Sequence, residues 1–157
     1  MDIQIRKAKE LDINAIALDM IETQNLHIEA FPNIYAPVEF SAILEHLTKQ
    51  LSKNNIHAKV AISENEICGH ILFEMRKVPK SLFTYERKYI YLMQIVVNNA
   101  YRKKGIGTLL MENMRAFARS QNIAKIELDV WNFNERARNF FTEQGFSDFG
   151  YRMNYQI

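Results

Sequence analysis

The chain has 157 residues, of which 48% are hydrophobic and 24% are charged. This length and composition are typical of one globular domain, and we predict a single domain over residues 1–157. Its formal net charge of +2 is far from the concentrated positive field of a dedicated nucleic-acid binder. The single cysteine, Cys68, cannot form an internal disulfide, and no stretch approaches the ~18 consecutive apolar residues that span a bilayer. We therefore expect a cytoplasmic protein that binds neither nucleic acid nor membrane.

The first half of the chain predicts a strand, two helices and a strand pair. Residues 3–6 alternate like a strand, and Asp12 stands where it can cap the helix that follows. Apolar residues at helical spacing predict the two helices, at Ile13, Ile16, Ala17 and Met20 and then at Phe40, Ile43, Leu44, Leu47 and Leu51. Runs 57–63 and 67–75 are rich in strand-forming residues, and the polar pair between them suits a hairpin turn.

The second half predicts a buried strand and two further helices around a short strand. Residues 89–97 are almost all apolar, which is typical of a strand buried on both faces. A helical pattern begins at Gly105, residues 125–131 alternate again, and Asn134 and Gly145 bracket a short helix before strand material at 146–155. The order predicts an α/β protein of the α+β type, with a mixed, largely antiparallel central sheet of about six to seven strands flanked by about four helices.

The most informative segment is the loop between the buried strand and the third helix. Gly105 and Gly107 remove side chains near the helix start, where unpaired N–H groups and the helix dipole favour an anion. Arg102, Lys103 and Lys104 add positive charge. These features predict a pyrophosphate site, and the alternative is an ordinary polar turn that ends in glycine.

Two other phosphate motifs fit this loop less well. A phosphate-loop NTPase requires Gly-Lys-Ser/Thr, whereas Gly107 is followed by Thr108 and then leucine. A dinucleotide-binding fingerprint would find its first two glycines here, but its third small position falls at Leu110. The chain also lacks the repeated βαβ units of such a domain.

Two motifs together resemble the GNAT acetyltransferase superfamily. Arg102-x-x-Gly105-x-Gly107 after a buried strand is similar to the family's acetyl-CoA motif. A second set of residues matches the family's downstream pattern in spacing: Asn134, Ala137, Phe140, Gly145 and Phe146. The order of elements is similar along essentially the whole chain.

The resemblance implies acetyl-CoA as co-substrate and no metal. It implies that the backbone of Ile95, Val96 and Val97 binds the pantetheine arm and the acetyl carbonyl. The pyrophosphate would be held by Arg102, Lys103, Lys104, Gly105, Ile106, Gly107 and Thr108. Asn134 would contact the pantetheine arm or serve only as a helix cap, and both readings stay open.

The sequence departs from the family pattern at Phe141, where many members carry a tyrosine thought to protonate the departing thiolate. Phenylalanine cannot donate a proton, although its ring can still pack against the cofactor. No carboxylate stands in the buried strand, which leaves Tyr91 as the candidate catalytic residue, for a water relay or a substrate contact. An alkylamine is almost wholly protonated at neutral pH, so this absence favours acceptors of low pKa or a base that acts through water.

The resemblance places the acceptor beside two irregular, aromatic segments, 26–37 and 78–88. The candidate substrate residues are His27 and Tyr35, with Phe31, Phe83 and Tyr85 as further candidates. The expected reaction is direct attack of a primary amine, from a small molecule or a peptide, on acetyl-CoA in a ternary complex. The alternatives are an acyl-CoA sensor without activity and a nucleotide-binding domain, and the oligomeric state stays open between monomer and homodimer.

Overall fold

The computed structural model describes residues 2–155 and 157 and contains a five-stranded sheet with two helices against each face. The strands are β1 (Gln4–Lys7), β2 (Ile56–Ser63), β3 (Glu66–Val78), β4 (Arg87–Val97) and β5 (Ile126–Leu128). The helices are α1 (Ile13–Ala30), α2 (Phe40–Leu51), α3 (Ile106–Ser120) and α4 (Glu135–Glu143). Strand order follows chain order, and every neighbouring pair is antiparallel except β4 and β5. The predicted α+β class with a mixed, mostly antiparallel sheet and four helices is confirmed.

The β2–β3 hairpin forms at the predicted polar pair. Glu64 and Asn65 both have positive φ, 51° and 67°, which is the backbone of the two-residue turn that matches strand twist. Ser63 and Glu66 close the ladder on either side of the turn. Local turn chemistry therefore sets the register of two central strands.

The sheet separates two hydrophobic cores because side chains alternate along its strands. On β3, Ile71 and Phe73 pack with α3 and α4, whereas Leu72 packs with α1 and α2. The α3 side also holds Leu110, Met114 and Phe141. Because both faces of the sheet are covered, residues 71–73 of β3 and most of residues 89–97 of β4 are apolar.

The sheet has five strands, slightly fewer than the about six to seven expected, because the C-terminal segment forms none in the part of the chain that is described. Phe146 packs against the core, but the alternating apolar residues after it stay exposed. β5 is only three residues long and offers little backbone for another strand to pair with. The alternation at 146–155 predicted a strand, and the short β5 edge is why no ladder forms.

Helix ends follow the sequence signals with one correction. The Asn134 side chain accepts a hydrogen bond from the Ala137 N–H at 3.1 Å, and Gly145 leaves α4 with φ 87°, so both ends of α4 are confirmed. Asp12 precedes α1 but does not cap it. Its carboxylate accepts from Arg6 and from the Lys9 N–H instead, and the Arg6 hydrogen bond lowers the pKa of Asp12.

None of the described helices combines the length and apolar character needed to cross a membrane.

Candidate functional site

The sheet opens between β4 and β5. β5 pairs with only three residues of β4, the last of them Leu92, whereas β4 runs on to Val97. Along its other edge β4 stays paired with β3, where Met93 is an extra, bulged residue. Residues 93–97 therefore have backbone groups on the β5 side without a sheet partner among the described residues. Such groups can hydrogen-bond an extended ligand.

Gly69 on β3 fixes the position of β4 at this opening. A Cβ atom on Gly69 would lie 2.5 Å from the carbonyl oxygen of Val96 and 3.1 Å from the Cα of Val97. Neither distance leaves room for a side chain, because the nearest atoms belong to the backbone. The absence of a side chain at Gly69 therefore allows the close strand approach that borders the opening.

The chain after β4 turns through Asn99–Tyr101 and enters α3 at Gly105. Gly105 is the residue before the helix and has φ 78°, in the left-handed region that favours glycine. The Leu109 N–H donates to the Gly105 carbonyl at 3.0 Å, so the amides before Leu109 in the first turn have no intrahelical acceptor. No acidic residue stands in that turn. This end of α3 is therefore suited to bind an anion.

The two glycines of the loop have different roles. A Cβ atom on Gly105 would meet nothing within 4 Å, so the space beside it is open. A Cβ atom on Gly107 would lie 3.1 Å from the ring of Phe140 in α4. Both glycines were predicted to make room for ligand oxygens. Only Gly105 has open space, whereas Gly107 makes room for the packing of α3 against α4.

A cavity of about 490 Å³ lies at the mouth of the opening. It is lined by Glu22, Leu26, Asn99, Arg102, Phe133, Asn134, Glu135 and Arg136. Arg102 donates from Nε to the carbonyl oxygen of Val97 at 3.0 Å, which ties the loop to the end of β4. Burial and then the nearby Arg136 lower the pKa of Arg102. Two guanidinium groups thus flank one cavity and can bind an anion there, while the Glu22 carboxylate in the same lining partly offsets their charge.

A second, smaller cavity of about 220 Å³ lies between α1 and β4. It is lined by Met20, Thr23, Gln24, His27, Leu72, Met93 and Gln94. Two of these, Met93 and Gln94, directly precede the predicted cofactor-binding stretch of β4. The smaller cavity is therefore adjacent to the open backbone of the same strand.

Five rings form a half-exposed group beside the two cavities, called here the aromatic cluster: His27, Phe31, Tyr35, Trp131 and Phe133. Neighbouring ring centroids are 5.0 to 6.4 Å apart, which is the range of favourable aromatic contact. His27 lines the smaller cavity and Phe133 lines the larger one, and their centroids are 6.2 Å apart. The aromatic cluster therefore stands where the two cavities approach each other.

A buried polar chain joins α1 to β4. His70, which is 0% exposed, lies 2.9 Å from the Asp19 carboxylate through Nδ1 and 3.1 Å from the Gln94 amide oxygen through Nε2. The Gln94 amide nitrogen donates to the Thr23 hydroxyl oxygen at 3.1 Å, and that hydroxyl donates to the Asp19 carbonyl oxygen. The chain ends at two side chains of the smaller cavity, Thr23 and Gln94.

Residues 20–146 match the model of the Acetyltransferase (GNAT) family. The chain belongs to the GNAT acetyltransferase family. The fold of a tetramutant of the BH1408 protein from Bacillus halodurans is similar, with a TM-score of 0.92 at 23% identity over 98% of this chain and 99% of that one.

Two further solved structures have a similar fold. A predicted acetyltransferase with acetyl-CoA from Clostridium acetobutylicum has a TM-score of 0.73 at 18% identity, over 99% of this chain and 96% of that one. An aminoglycoside 6'-N-acetyltransferase from Acinetobacter haemolyticus has a TM-score of 0.73 at 16% identity, over 98% and 97%. These likenesses establish the fold.

Most of the predicted cofactor residues of this GNAT chain lie around the opening. Ile95 and Val97 pack one face of β4 on the core, and Val96 lies between them. Arg102 and Asn134 line the larger cavity. Ile106, Gly107 and Thr108 form the first turn of α3, while Lys103 and Lys104 are exposed and line neither cavity.

The positions of Tyr91 and Phe141 bear on proton transfer. The Tyr91 hydroxyl donates to Asp129 at 2.7 Å, and burial followed by this hydrogen bond raises the pKa of Tyr91 to about 12. Tyr91 lines neither cavity. Phe141 is buried in the α3-side core and its ring contacts those of Phe140 and Phe146.

The two segments predicted to border the acceptor, 26–37 and 78–88, differ in whether their aromatic residues lie at the cavities. His27 and Tyr35 come together in the aromatic cluster, as does Phe31. Phe83 and Tyr85 are 90% and 87% exposed and line neither cavity.

Sequence reasoning missed several residues of this site. It gave no functional role to Trp131, His70 or Arg136. Their partners lie far away in the chain, so no local motif marks them. The only local signal is a buried histidine within an apolar strand, where a polar partner is required.

No group of three or more histidine, cysteine, aspartate or glutamate residues is placed to hold a metal ion within residues 2–155 and 157.

Proposed function

We propose that the chain is a single N-acetyltransferase domain that transfers the acetyl group of acetyl-CoA to a primary amine of a small molecule or peptide. The observation that supports this most directly is the start of α3 at the mouth of the β4–β5 opening, with the left-handed Gly105 before free helix amides. We further propose that the protein acts in the cytoplasm.

The residues at the opening fit the chemistry of coenzyme A. Its pyrophosphate requires N–H donors and positive charge, which the first turn of α3 and Arg102 can supply. The open space beside Gly105 leaves these amides accessible. The pantetheine arm carries amides of its own, and these match the backbone groups of residues 93–97 on the β5 side that have no sheet partner among the described residues.

The proposed reaction needs no covalent enzyme intermediate. The nitrogen of a neutral amine attacks the carbonyl carbon of the thioester, the carbon–sulfur bond breaks, and the nitrogen loses one proton while the sulfur leaves as thiolate or gains one. Backbone N–H groups near Val96 would stabilise the negative charge that develops on the carbonyl oxygen. Cys68 is buried in the core and takes no part.

Tyr91 remains the candidate to assist proton transfer, through water or through a contact with the substrate. It belongs to β4 and lies two residues before the bulged Met93. Its raised pKa keeps the phenol protonated throughout the neutral range. A thiol with a pKa near the ~8.5 of cysteine leaves readily as thiolate, so strong acid assistance is not required.

A thermal shift experiment tests the cofactor assignment. At a hundredfold excess over its dissociation constant, acetyl-CoA should add about 2.7 kcal/mol to the free energy of unfolding. NAD and ATP at the same concentration should add much less. Equal stabilisation by all three ligands would contradict the assignment and leave only a generic phosphate-binding loop.

The second candidate function is an acyl-CoA sensor without turnover. Phe141 favours it, because this buried ring has no proton to donate. Release of coenzyme A with a broad panel of small amines and peptide N-termini separates the two functions. Binding of acetyl-CoA without amine-dependent release would make the sensor the better description.

A further inference from the structure

We propose that the acceptor is a small amine attached to an aromatic or other flat apolar group and carrying at most one positive charge, whose ring binds against the aromatic cluster. This inference rests on the proposed N-acetyltransferase function. It names the acceptor class, which the family assignment leaves open.

The size of the smaller cavity limits the part of the acceptor that can enter. Its volume of about 220 Å³ lies below the ~300–1,000 Å³ of sites that enclose drug-sized ligands. An amine with a short linker to one ring fits that space. A sugar with several rings would have to leave most of its surface outside.

The charge around the smaller cavity disfavours a polycation. Not one of its lining residues carries a carboxylate. The Asp19 carboxylate, which belongs to the residue before Met20 in α1, is already paired with the buried His70. Glu22 and Glu135 line the larger cavity instead, where two arginines share that space. A ligand with several ammonium groups would therefore find few partners.

The aromatic cluster supplies contacts that suit a flat apolar group. Trp131 is 39% exposed and lies within 6.4 Å of four other rings, so it presents a supported aromatic surface. His27 joins this surface to the smaller cavity, and burial lowers the pKa of its imidazole, which favours the uncharged ring. A single ammonium group could also approach a ring face.

The first test compares acceptors. Purified protein with saturating acetyl-CoA is assayed with 2-phenylethylamine and tryptamine against spermidine and tobramycin. We expect kcat/KM at least about tenfold higher for the two aromatic amines, since one aromatic contact is worth about a factor of ten. Equal or higher values for spermidine or tobramycin would overturn the inference while leaving the N-acetyltransferase function intact.

The second test removes the ring surface. Trp131→Ala should raise KM for 2-phenylethylamine about tenfold with kcat nearly unchanged, because the ring contact is lost before and during reaction alike. Trp131→Phe should restore most of that loss. Tyr85→Ala is the matched control, because it removes an aromatic ring that is 87% exposed and lines neither cavity.

The acetyl-CoA affinity of each variant shows whether a negative result contradicts the acceptor class alone or the N-acetyltransferase function as well. Unchanged acetyl-CoA affinity with unchanged KM in Trp131→Ala would overturn the aromatic acceptor alone. Protein that binds acetyl-CoA and acetylates neither aromatic amine would overturn the acceptor class, and the broad panel of small amines and peptide N-termini would then decide the transferase function. Failure to bind acetyl-CoA at all would overturn the proposed function at its first step.

Discussion

The β4–β5 opening has a proposed cofactor end at the start of α3 and a proposed acceptor end at the smaller cavity and the aromatic cluster, and the two ends offer a ligand different groups. The cofactor end offers backbone amides, a left-handed glycine and guanidinium groups, and its loop and helix start are one continuous stretch of chain. The acceptor end offers uncharged side chains contributed by α1, the segment after it, β4 and the segment after β5. Backbone N–H donors are unaffected by most side-chain substitutions, whereas a binding surface made of side chains is altered by each substitution in it. Binding at the cofactor end should therefore be most sensitive to substitution of its glycine, whereas substitutions at the acceptor end can change which acceptor is bound.

The strongest test of this contrast is Gly105→Val. A branched residue at φ 78° is strained by ~1–3 kcal/mol, and the loop can relieve that strain only by moving the amides it presents. We expect about a hundredfold loss of acetyl-CoA affinity by calorimetry, equivalent to ~2.7 kcal/mol. Gly150→Val makes the same change where φ is not left-handed and the space is open, so its affinity should match the wild type. Equal affinities in both folded variants would contradict the role given to the loop backbone.

Acetyl-CoA affinity in Arg102→Ala and in Lys104→Ala compares a charge fixed by a hydrogen bond with an exposed surface charge. Arg102 is half-buried, lines the larger cavity and holds the Val97 carbonyl, so its loss should weaken acetyl-CoA binding about tenfold. Lys104 is exposed, and its loss should cost less than about threefold.

The salt dependence of both affinities provides a further check. Raising the ionic strength should erase the Lys104 effect and preserve most of the Arg102 effect, because exposed charges are screened more strongly. The reverse ranking would mean that the exposed lysines carry the pyrophosphate.

Asn134 lies between the two ends, as the cap of α4 and as part of the larger cavity. Asn134→Ala should lower the free energy of unfolding by about 1 kcal/mol, measured in urea. Asn134→Asp keeps an oxygen for the Ala137 N–H and should retain that stability, while it removes the amide donor. A loss of acetyl-CoA affinity in both variants would assign the amide group to the ligand, and wild-type affinity in both would leave Asn134 as a cap only. A loss in the aspartate variant alone would reflect its added negative charge.

The smallest effect is expected for Tyr91→Phe. A positioned acid contributes roughly 10²–10⁴ in rate, but the Tyr91 proton is already donated to Asp129, so we expect kcat to fall less than about tenfold. The raised pKa favours the folded state below the usual tyrosine pKa, and that contribution is lost as pH rises through about 12. The stability difference between wild type and variant should therefore shrink from about pH 10 to pH 12. A fall in kcat of a hundredfold or more would make Tyr91 the proton donor.

The local features of the proposed cofactor end are easier to predict from the sequence than the contacts of the proposed acceptor end, for a physical reason. The glycine loop, the buried strand and the cap at Asn134 are local features whose backbone requirements appear within a few residues. The contact of Trp131 with Phe31 joins residues a hundred positions apart, and no periodicity records it. Gly107 is a similar case at a shorter separation, because the ring that requires a glycine there belongs to Phe140 in another helix.

The buried chain from Asp19 through His70 to Gln94 and Thr23 has a consequence for the entropy of binding. Long polar side chains lose conformational freedom when they bind a ligand, and each such loss costs about 0.5–1.5 kcal/mol. Gln94 and Thr23 have already lost theirs, because hydrogen bonds hold both side chains to a fully buried imidazole and to α1. The entropic cost of ordering these two side chains is incurred when the protein folds. An acceptor in the smaller cavity would therefore bind to side chains that are already ordered.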